Sequence, residues 1–331
     1  MIGSGLVGAT IANHLANAGR RVAIVDALKP AQAGTRRAVG IATPLMTPNY
    51  IADTVRGVDG ITNLAMRLAV SPRACRVMHL ATAPSDTEAL QLAAASFKDK
   101  RPKVLWENKT DAVPTGFSGG MIVHNGVLLD LGLLTNRLLQ HPYISVHDNI
   151  EIQSLDSSNN RLTALAHGHS ICANAIVIAT NAYAGSLSPY VGDSVQMARC
   201  VTWSSRPLDQ NQPLLERMLQ VVPLPLIIDD ARMLMAPTLD WRLRIFARSI
   251  DNKHDPAADI TAFLRARLPE LTAETDEWRY GVTSITADHA PLVGRLASAG
   301  SGSVVYAVAA GMYGPAWATV MAERVLALVE V

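Results

Sequence analysis

The first residues able to do chemistry stand at the start of the chain. Gly3-x-Gly5-x-x-Gly8 is followed in register by Ala12, Leu15, Gly19, Val22 and Asp26. Each type has a task in a strand–turn–helix unit that holds a dinucleotide. Gly3 makes the tight turn, Gly5 lets the backbone approach a pyrophosphate, and Gly8 with Ala12 lets the helix pack closely on the sheet. The helix start, with Ser4, Leu6 and Val7, aims N–H groups and the positive end of a dipole at phosphate. Asp26 ends the second strand, where a carboxylate accepts both ribose hydroxyls. Glycine turns alone are common; the later Ala, Leu, Gly, Val and acid in register make this a nucleotide fingerprint. It does not separate FAD from NAD.

Other constellations carry less. Gly116-Phe117-Ser118-Gly119-Gly120 matches the serine-hydrolase pattern. That chemistry needs a strand before the serine and a helix after it, whereas Pro114 precedes and the strand-like Met121–Val123 follows, so a glycine-rich turn is the expectation. His167 and His169 share a strand face, but no third ligand is suitably spaced, so no metal site is expected. Asp229-Asp230 reads as a solvated turn. Arg36-Arg37 is too short for nucleic acid and suits a place near phosphate.

These groups need elements to position them. Ala9–Ala18 reads as a helix stopped by Gly19, and Val22–Val25 as a buried strand. Only Met1 and Ile2 precede Gly3, so the first strand is expected to be missing or shortened. Ala31–Pro48 reads as a long functional loop. Asn49–Ala95 reads as largely helical, with a break at Ser71-Pro72. Val104–Leu129 holds short strand-like pieces, and Leu133–Gln140 is a helix candidate. Ile144–Leu155, Arg161–Ala166 and Ile171–Ala179 look like a three-strand meander with a turn at Asn159-Asn160. Met197–Arg206 and Arg232–Ser249 read as strands of a second sheet, with Asp240-Trp241 in a hairpin turn. Ile260–Leu268 reads as a helix, Val304–Ala309 as a strand, Gly311–Gly314 as a loop and Ala316–Val329 as a helix.

Composition agrees with a well-buried globular enzyme: 331 residues, 49% hydrophobic and 17% charged. A net charge of +1 gives no bulk basic field for nucleic acid. Cys75, Cys172 and Cys200 form no CxxC pair, which fits a reducing, cytoplasmic compartment. No apolar run reaches the length of a transmembrane segment.

A family resemblance enters at the other end. Gly281-Val282-Thr283-Ser284-Ile285-Thr286-Ala287-Asp288-His289-Ala290-Pro291-Leu292-Val293-Gly294 resembles the pattern G-x-R-x-x-T-x-D-x-x-P-x-[IV]-G of the glycine oxidase, sarcosine oxidase and D-amino-acid oxidase family of FAD enzymes. Ala309-Ala310-Gly311-Met312-Tyr313-Gly314 and a helix follow, as in that family. Gly34–Ile41 resembles its A-S-x-x-x-x-G loop, Asn125–Leu128 its G-G-x-L strand, and Ile176–Asn181 its V-V-x-A-x-G strand end. The Gly311-x-x-Gly314 spacing with Ala318, Ala322 and Glu323 resembles one branch, the flavin domain of the bifunctional enzyme of tRNA 5-methylaminomethyl-2-thiouridine synthesis.

The resemblance implies an α/β fold: a Rossmann-like FAD-binding domain from 1–75, 143–190 and 276–331, and an antiparallel-sheet substrate domain from 76–142 and 191–275. It implies FAD held by Gly3, Ser4, Gly5, Leu6, Val7, Gly8, Asp26, Thr35, Arg36, Arg37, Gly40, Ile152, Thr180, Gly294, Gly311, Met312, Tyr313 and Gly314. It implies oxidation of the C–N bond of a small-molecule amine, with electrons passed to oxygen or another acceptor. Alternatives are a tRNA side-chain oxidase, a non-catalytic nucleotide-binding paralogue, or an NAD-linked dehydrogenase that leaves the C-terminal resemblance unexplained. One departure stands out: Thr283 replaces the family's arginine. Either Arg232, Arg244, Arg248 or Arg279 replaces that cation, or the substrate lacks a carboxylate. Arg244 and Arg248 share a strand face and are the favoured anchors. Tyr313 and Met312 either line the flavin or pack the loop.

Overall fold

Short apolar runs build two main sheets and a separate three-stranded meander, with amphipathic helices between and around them. The computed structural model describes residues 1–97, 101–108, 113, 117, 119–156, 162–229, 232–251, 254–296 and 302–329. In chain order the elements begin with α1 (Leu6–Asn17), β1 (Val22–Val25), the one-turn α2 (Gly34–Arg37), β2 (Ile41–Ala42), α3 (Ile51–Arg67), β3 (Arg73–Leu80) and α4 (Pro84–Ser96). Next come β4 (Val104–Asn108), β5 (Gly119–Leu128), α5 (Leu131–Leu138), β6 (Ile144–His147), β7 (Ile152–Asp156), β8 (Leu162–Ala166), β9 (His169–Ala173) and β10 (Ala175–Ile178). Then follow α6 (Pro189–Asp193), β11 (Gln196–Ser205), α7 (Gln212–Val221), β12 (Leu226–Ile228), β13 (Met233–Pro237) and β14 (Leu243–Ser249). The last are α8 (Pro256–Arg267), β15 (Thr275–Ile285), β16 (Leu292–Leu296), β17 (Ser303–Val308) and α9 (Gly314–Val329).

The first sheet is parallel at its centre. β1 pairs with β6 and β10 with β17, both in parallel, while β16 closes the edge antiparallel to β17. The two halves meet at Ile2, which bridges Val25 and Ile178. Its N–H donates to Val177 O at 2.8 Å, and the Gly3 N–H donates to Val25 O at 2.9 Å. Met1–Gly3 thus occupies the strand position expected before the fingerprint. One face of this sheet is covered by α1, α3, α5 and α9 and the other by the β7–β8–β9 meander. Burial on both faces explains why β1 and β10 are apolar throughout.

The meander differs from expectation at both ends. Asn149 takes a left-handed conformation (φ 57°) and splits Ile144–Leu155 into β6, in the parallel sheet, and β7, in the meander. Asn is one of the few residues that does this at low cost. The run Ile171–Ala179 is likewise divided, with β10 returning to the parallel sheet. The Asn159-Asn160 turn lies outside the described residues.

The second sheet runs β15-β11-β14-β13-β12-β3-β5-β2, with β4 also on β5. It is antiparallel except for β12 beside β3, a parallel pair not foreseen in the sequence. Arg73–Leu80, expected within a helical region, is β3. It pairs with β5 on one side and β12 on the other, so ladder bonds on both edges override a weak helical pattern. The expected loop 31–48 contains α2 and β2. Unforeseen α7 starts at Asn211, whose side chain accepts from the Leu214 N–H, with Pro213 in the first turn. The hairpin turn at Asp240-Trp241 is present, Trp241 having φ 60°.

Side-chain alternation gives this sheet two apolar faces. Val201, Trp203, Met235, Ile245 and Ala247 pack under α7 and α8. Cys200, Leu234, Ala236 and Phe246 point the other way, toward Val39, Ile41 and Met312. That second face roofs the site. Among the described residues no helix is long and apolar enough to cross a membrane.

Candidate functional site

A cavity of about 510 Å³ runs from the fingerprint to the roof of the large sheet. At its lower end α1 begins at Gly5, and the first helical bond runs from the Ala9 N–H to Gly5 O. The Leu6 N–H donates to Thr35 Oγ1 at 2.8 Å, so an oxygen already caps the helix start. Gly8 must lack a side chain: a Cβ there would collide with the Gly3 carbonyl oxygen and reach within 3.4 Å of Ala179 Cβ. Asp26 is held in place before any ligand arrives. Its Oδ2 accepts from the Ser4 N–H at 2.6 Å and the Ser4 hydroxyl at 2.8 Å, and its Oδ1 accepts from the Leu28 N–H at 2.9 Å.

Most residues singled out in the sequence come together here. Gly3, Gly5, Leu6, Val7, Gly8 and Asp26 line the lower cavity. Thr35, Arg37 and Gly40 line it from the segment around α2, Ile152 and Thr180 from the strand ends, and Gly311, Met312 and Gly314 from the turn into α9. The N-terminus of α9 therefore borders the same space as that of α1. Other residues fall outside the lining. Ser4 is buried behind Asp26, and Arg36 is exposed, donating to Gln32 Oε1 at 2.5 Å. Gly294 lies on β16 against the Tyr306 ring. Tyr313 is buried in the helical core, edge-on to His289.

Arg244 and Arg248 flank Phe246 on β14, and Phe246 itself lines the cavity. Neither arginine does. Arg244 donates to Ala38 O at 3.2 Å, and burial pulls its guanidinium below the usual range. Arg248 is buried beside Cys200, its register partner on β11. Arg232 and Arg279 are engaged elsewhere: Arg232 pairs with Asp229 and Asp259, and Arg279 pairs with Glu277 and donates to Arg36 O. Burial pushes the Cys200 thiol up, against the opposing pull of Arg37, so the thiol stays neutral.

Sequence reasoning missed Asn181 and Cys200. Asn181 stands at φ 50°, where the resembled motif has glycine; an Asn in that place was the available signal. Its Nδ2 donates to Thr283 Oγ1 at 3.3 Å and its Oδ1 accepts from the Ser284 hydroxyl at 2.8 Å. Cys200 lines the cavity with no sequence signal. Of the weighed alternatives, Gly116, Ser118 and Asp230 lie outside the described residues. Asp229 accepts from Thr82 and pairs with Arg232. His167 contacts Gln153, and no group of three metal ligands forms among the described residues.

The arrangement fits FAD on its own geometry. It offers a glycine cradle, two helix starts, a preset carboxylate, and at Thr180 a buried hydroxyl in the lining with no hydrogen-bond partner. Such an orphan is costly unless a ligand completes it. No curated protein matches the chain in sequence. Solved structures do match in fold. Glycine oxidase from Geobacillus kaustophilus superposes with a TM-score of 0.81 at 18% identity, covering 99% of this chain and 93% of that one. L-proline dehydrogenase from P. horikoshii gives 0.79 at 14%, covering 97% and 90%. FAD-bound L-alpha-glycerophosphate oxidase from Mycoplasma pneumoniae gives 0.75 at 12%, covering 100% and 94%. The family described as DAO, FAD dependent oxidoreductase, matches residues 1–328. With that match spanning the cradle, the roof and the α9 turn, the chain belongs to the DAO family of FAD-dependent oxidoreductases.

Proposed function

We propose that this enzyme oxidises the C–N bond of a small glycine-like or N-substituted amino acid. The observation that carries the reading is that cofactor cradle and roof open into one cavity, whose upper wall is Cys200, Leu234 and Phe246. A small substrate seated under that wall is shielded from water, which strengthens every polar contact it makes. Bound FAD supplies the hydride acceptor.

The chain's own residues bind and orient. Asp26, held by Ser4 and Leu28, offers its remaining acceptor capacity to ribose. The α1 start and Thr35 face the pyrophosphate. The only carboxylates lining the cavity among the described residues are Asp26 and Glu151, beside Ile150 and Ile152. Neither belongs to the roof, so the amine is read as binding neutral, with no carboxylate there to take its proton. Hydride loss from the carbon beside nitrogen leaves an iminium cation, which gives up its N–H proton to water and is then hydrolysed to the carbonyl compound and the free amine. Electrons leave to oxygen or another acceptor.

Glycine oxidase and proline dehydrogenase share this fold, and so does glycerophosphate oxidase, so substrate class needs a direct test. The FAD-loaded enzyme is mixed without oxygen with glycine, sarcosine, D-alanine, L-proline, iminodiacetate and glycerol 3-phosphate, and loss of the oxidised flavin bands is followed. Bleaching by at least one amine, with release of the corresponding carbonyl compound, is expected. Bleaching by glycerol 3-phosphate and by no amine overturns the reading.

A further inference from the structure

Among the described residues lining the cavity, Arg37 is the only lysine, arginine or histidine. It enters from the end of α2 and lies flat over β15. Its guanidinium rests on the bare Cα of Gly281: a Cβ there would come within 2.6 Å of Nη1 and 2.7 Å of Nε. Its one oxygen partner is the Val282 carbonyl, 3.2 Å from Nη2, and no carboxylate pairs with it among the described residues. A backbone carbonyl does not neutralise a guanidinium. A half-buried cation facing a cavity, without a counter-charge, is a place for an anion.

Two candidate anions could fill it, the cofactor's pyrophosphate or an acidic group on the substrate. Thr35 and Arg37 decide between them. Residues two apart on a helical turn point in nearly opposite directions. Thr35 points to the start of α1, where it accepts from the Leu6 N–H. Arg37 points to the roof strands, against Gly281 and beside Cys200. Its own carbonyl is fixed there by the Thr202 hydroxyl at 2.6 Å. The cation therefore belongs to the substrate end.

Thr283 completes the seat. Gly281 and Thr283 alternate onto the same face of β15, about 7 Å apart along the strand. The Thr283 oxygen accepts from Asn181 Nδ2, which leaves its proton to be donated elsewhere. An oxyanion about 3 Å from each of two donors fits a gap of that size. Position 283 thus contributes a neutral donor, and the charge comes from Arg37, which lies over Gly281 two residues earlier on the same strand.

We propose that Arg37 is the specificity-determining cation of this enzyme, binding the substrate's carboxylate between its guanidinium and the Thr283 hydroxyl. The identity of the substrate as an amino acid rests on the amine-oxidation reading; the anion seat does not. Arg244 and Arg248 stand on β14, separated from β15 by β11 and outside the cavity lining, and Gly281 is the residue that makes room for the guanidinium.

The test uses FAD-loaded protein and two probes of equal size, acetate and acetamide, titrated while the flavin absorbance is followed. Wild type is expected to bind acetate at least about tenfold more tightly than acetamide. Arg37→Met should weaken acetate by about 10- to 100-fold and acetamide by less than about twofold. Arg37→Lys should recover part of the loss. Gly281→Ala keeps every charge but displaces the guanidinium, and should weaken acetate selectively. The proposal is overturned if Arg37→Met binds acetate as wild type does. It is equally overturned if Arg37→Met fails to retain FAD, which makes Arg37 a cofactor residue, or if Arg248→Met alone abolishes acetate binding. Acetate selectivity resting on Arg37 in an enzyme that oxidises no amine supports the seat and refutes the amine reading.

Discussion

The cradle and the roof hold their ligands by different means. The cradle is mostly backbone. Gly3, Gly5 and Gly8 contribute by what they lack, and Asp26 reaches it within one strand–helix–strand unit. The roof is side chains on strands far apart in the chain. Gly281, Cys200 and Arg248 lie in one row across β15, β11 and β14, and Arg37 comes from a segment more than 150 residues earlier than any of them. A backbone site tolerates little change and binds one kind of group. A side-chain site can be rebuilt one residue at a time, which is how a family can keep its cofactor while changing substrate.

If that contrast holds, the cradle breaks hardest. Gly8→Val drives a branched side chain into the Gly3 carbonyl and toward Ala179. We expect loss of FAD after desalting and destabilisation of about 3 kcal/mol or more, read by absorbance and thermal melting. A variant that stayed yellow and melted normally would place the nucleotide elsewhere. Asp26→Asn is gentler. It leaves the shape but removes the charge that organises Ser4 and faces ribose, and should raise the Kd for FAD by about 10- to 100-fold. An unchanged Kd would remove Asp26 from the site.

The roof gives the smallest effect and a pH signature. Arg242 ties the hairpin turn together, donating to Asp240 at 2.7 Å and to Ser205 O at 3.0 Å and pairing with Asp276. Burial alone would raise the Asp240 pKa, but hydrogen bonds from Thr238 and Arg242 outweigh it and hold the carboxyl below its ordinary value. A depressed carboxylate stabilises the fold above its unfolded pKa, and the contribution is lost as pH falls through the folded value. Arg242→Met should therefore cost about 1 kcal/mol or less at neutral pH, since Asp240 is largely exposed. The gap from wild type should close in acid while FAD affinity stays unchanged. A gap independent of pH would mean that packing of the Arg242 stem, not charge, is what the turn uses.

The same contrast explains what could be read from the sequence. The cradle was legible because its spacing is local: the glycines, Ala12 and Asp26 fall in register along one unit. The α9 turn was legible through motif order. The strands β1, β10 and β17 announced themselves as short apolar runs. What could not be read was pairing between distant segments. Nothing local in Arg73–Leu80 says that β12 will lie parallel beside it, and the helical expectation there gave way to ladder bonds on both edges. Asn149 hid a change of sheet inside one apparent strand. Arg37 reads as a phosphate residue from its neighbours in the sequence; that its guanidinium lies against Gly281 on β15 depends on packing between segments far apart in the chain.

The place of Ile2 between two strands has a consequence for how the chain is made. Its neighbours Met1 and Gly3 bond to Val25, which follows almost at once, and Ile2 itself bonds to Val177 and Ala179, which do not. At roughly 5–20 residues per second, the gap before Val177 leaves the ribosome is about 10 to 35 seconds. Val304 and Val305, which flank β10 on the far side, arrive later still. Through that interval α1 carries Leu6, Ala9, Ile11 and Leu15 with no sheet centre and no α9 to cover them. The helix whose start lines the cofactor cavity is thus among the last elements to be enclosed, and until then its apolar surface is open to chaperones and to other chains.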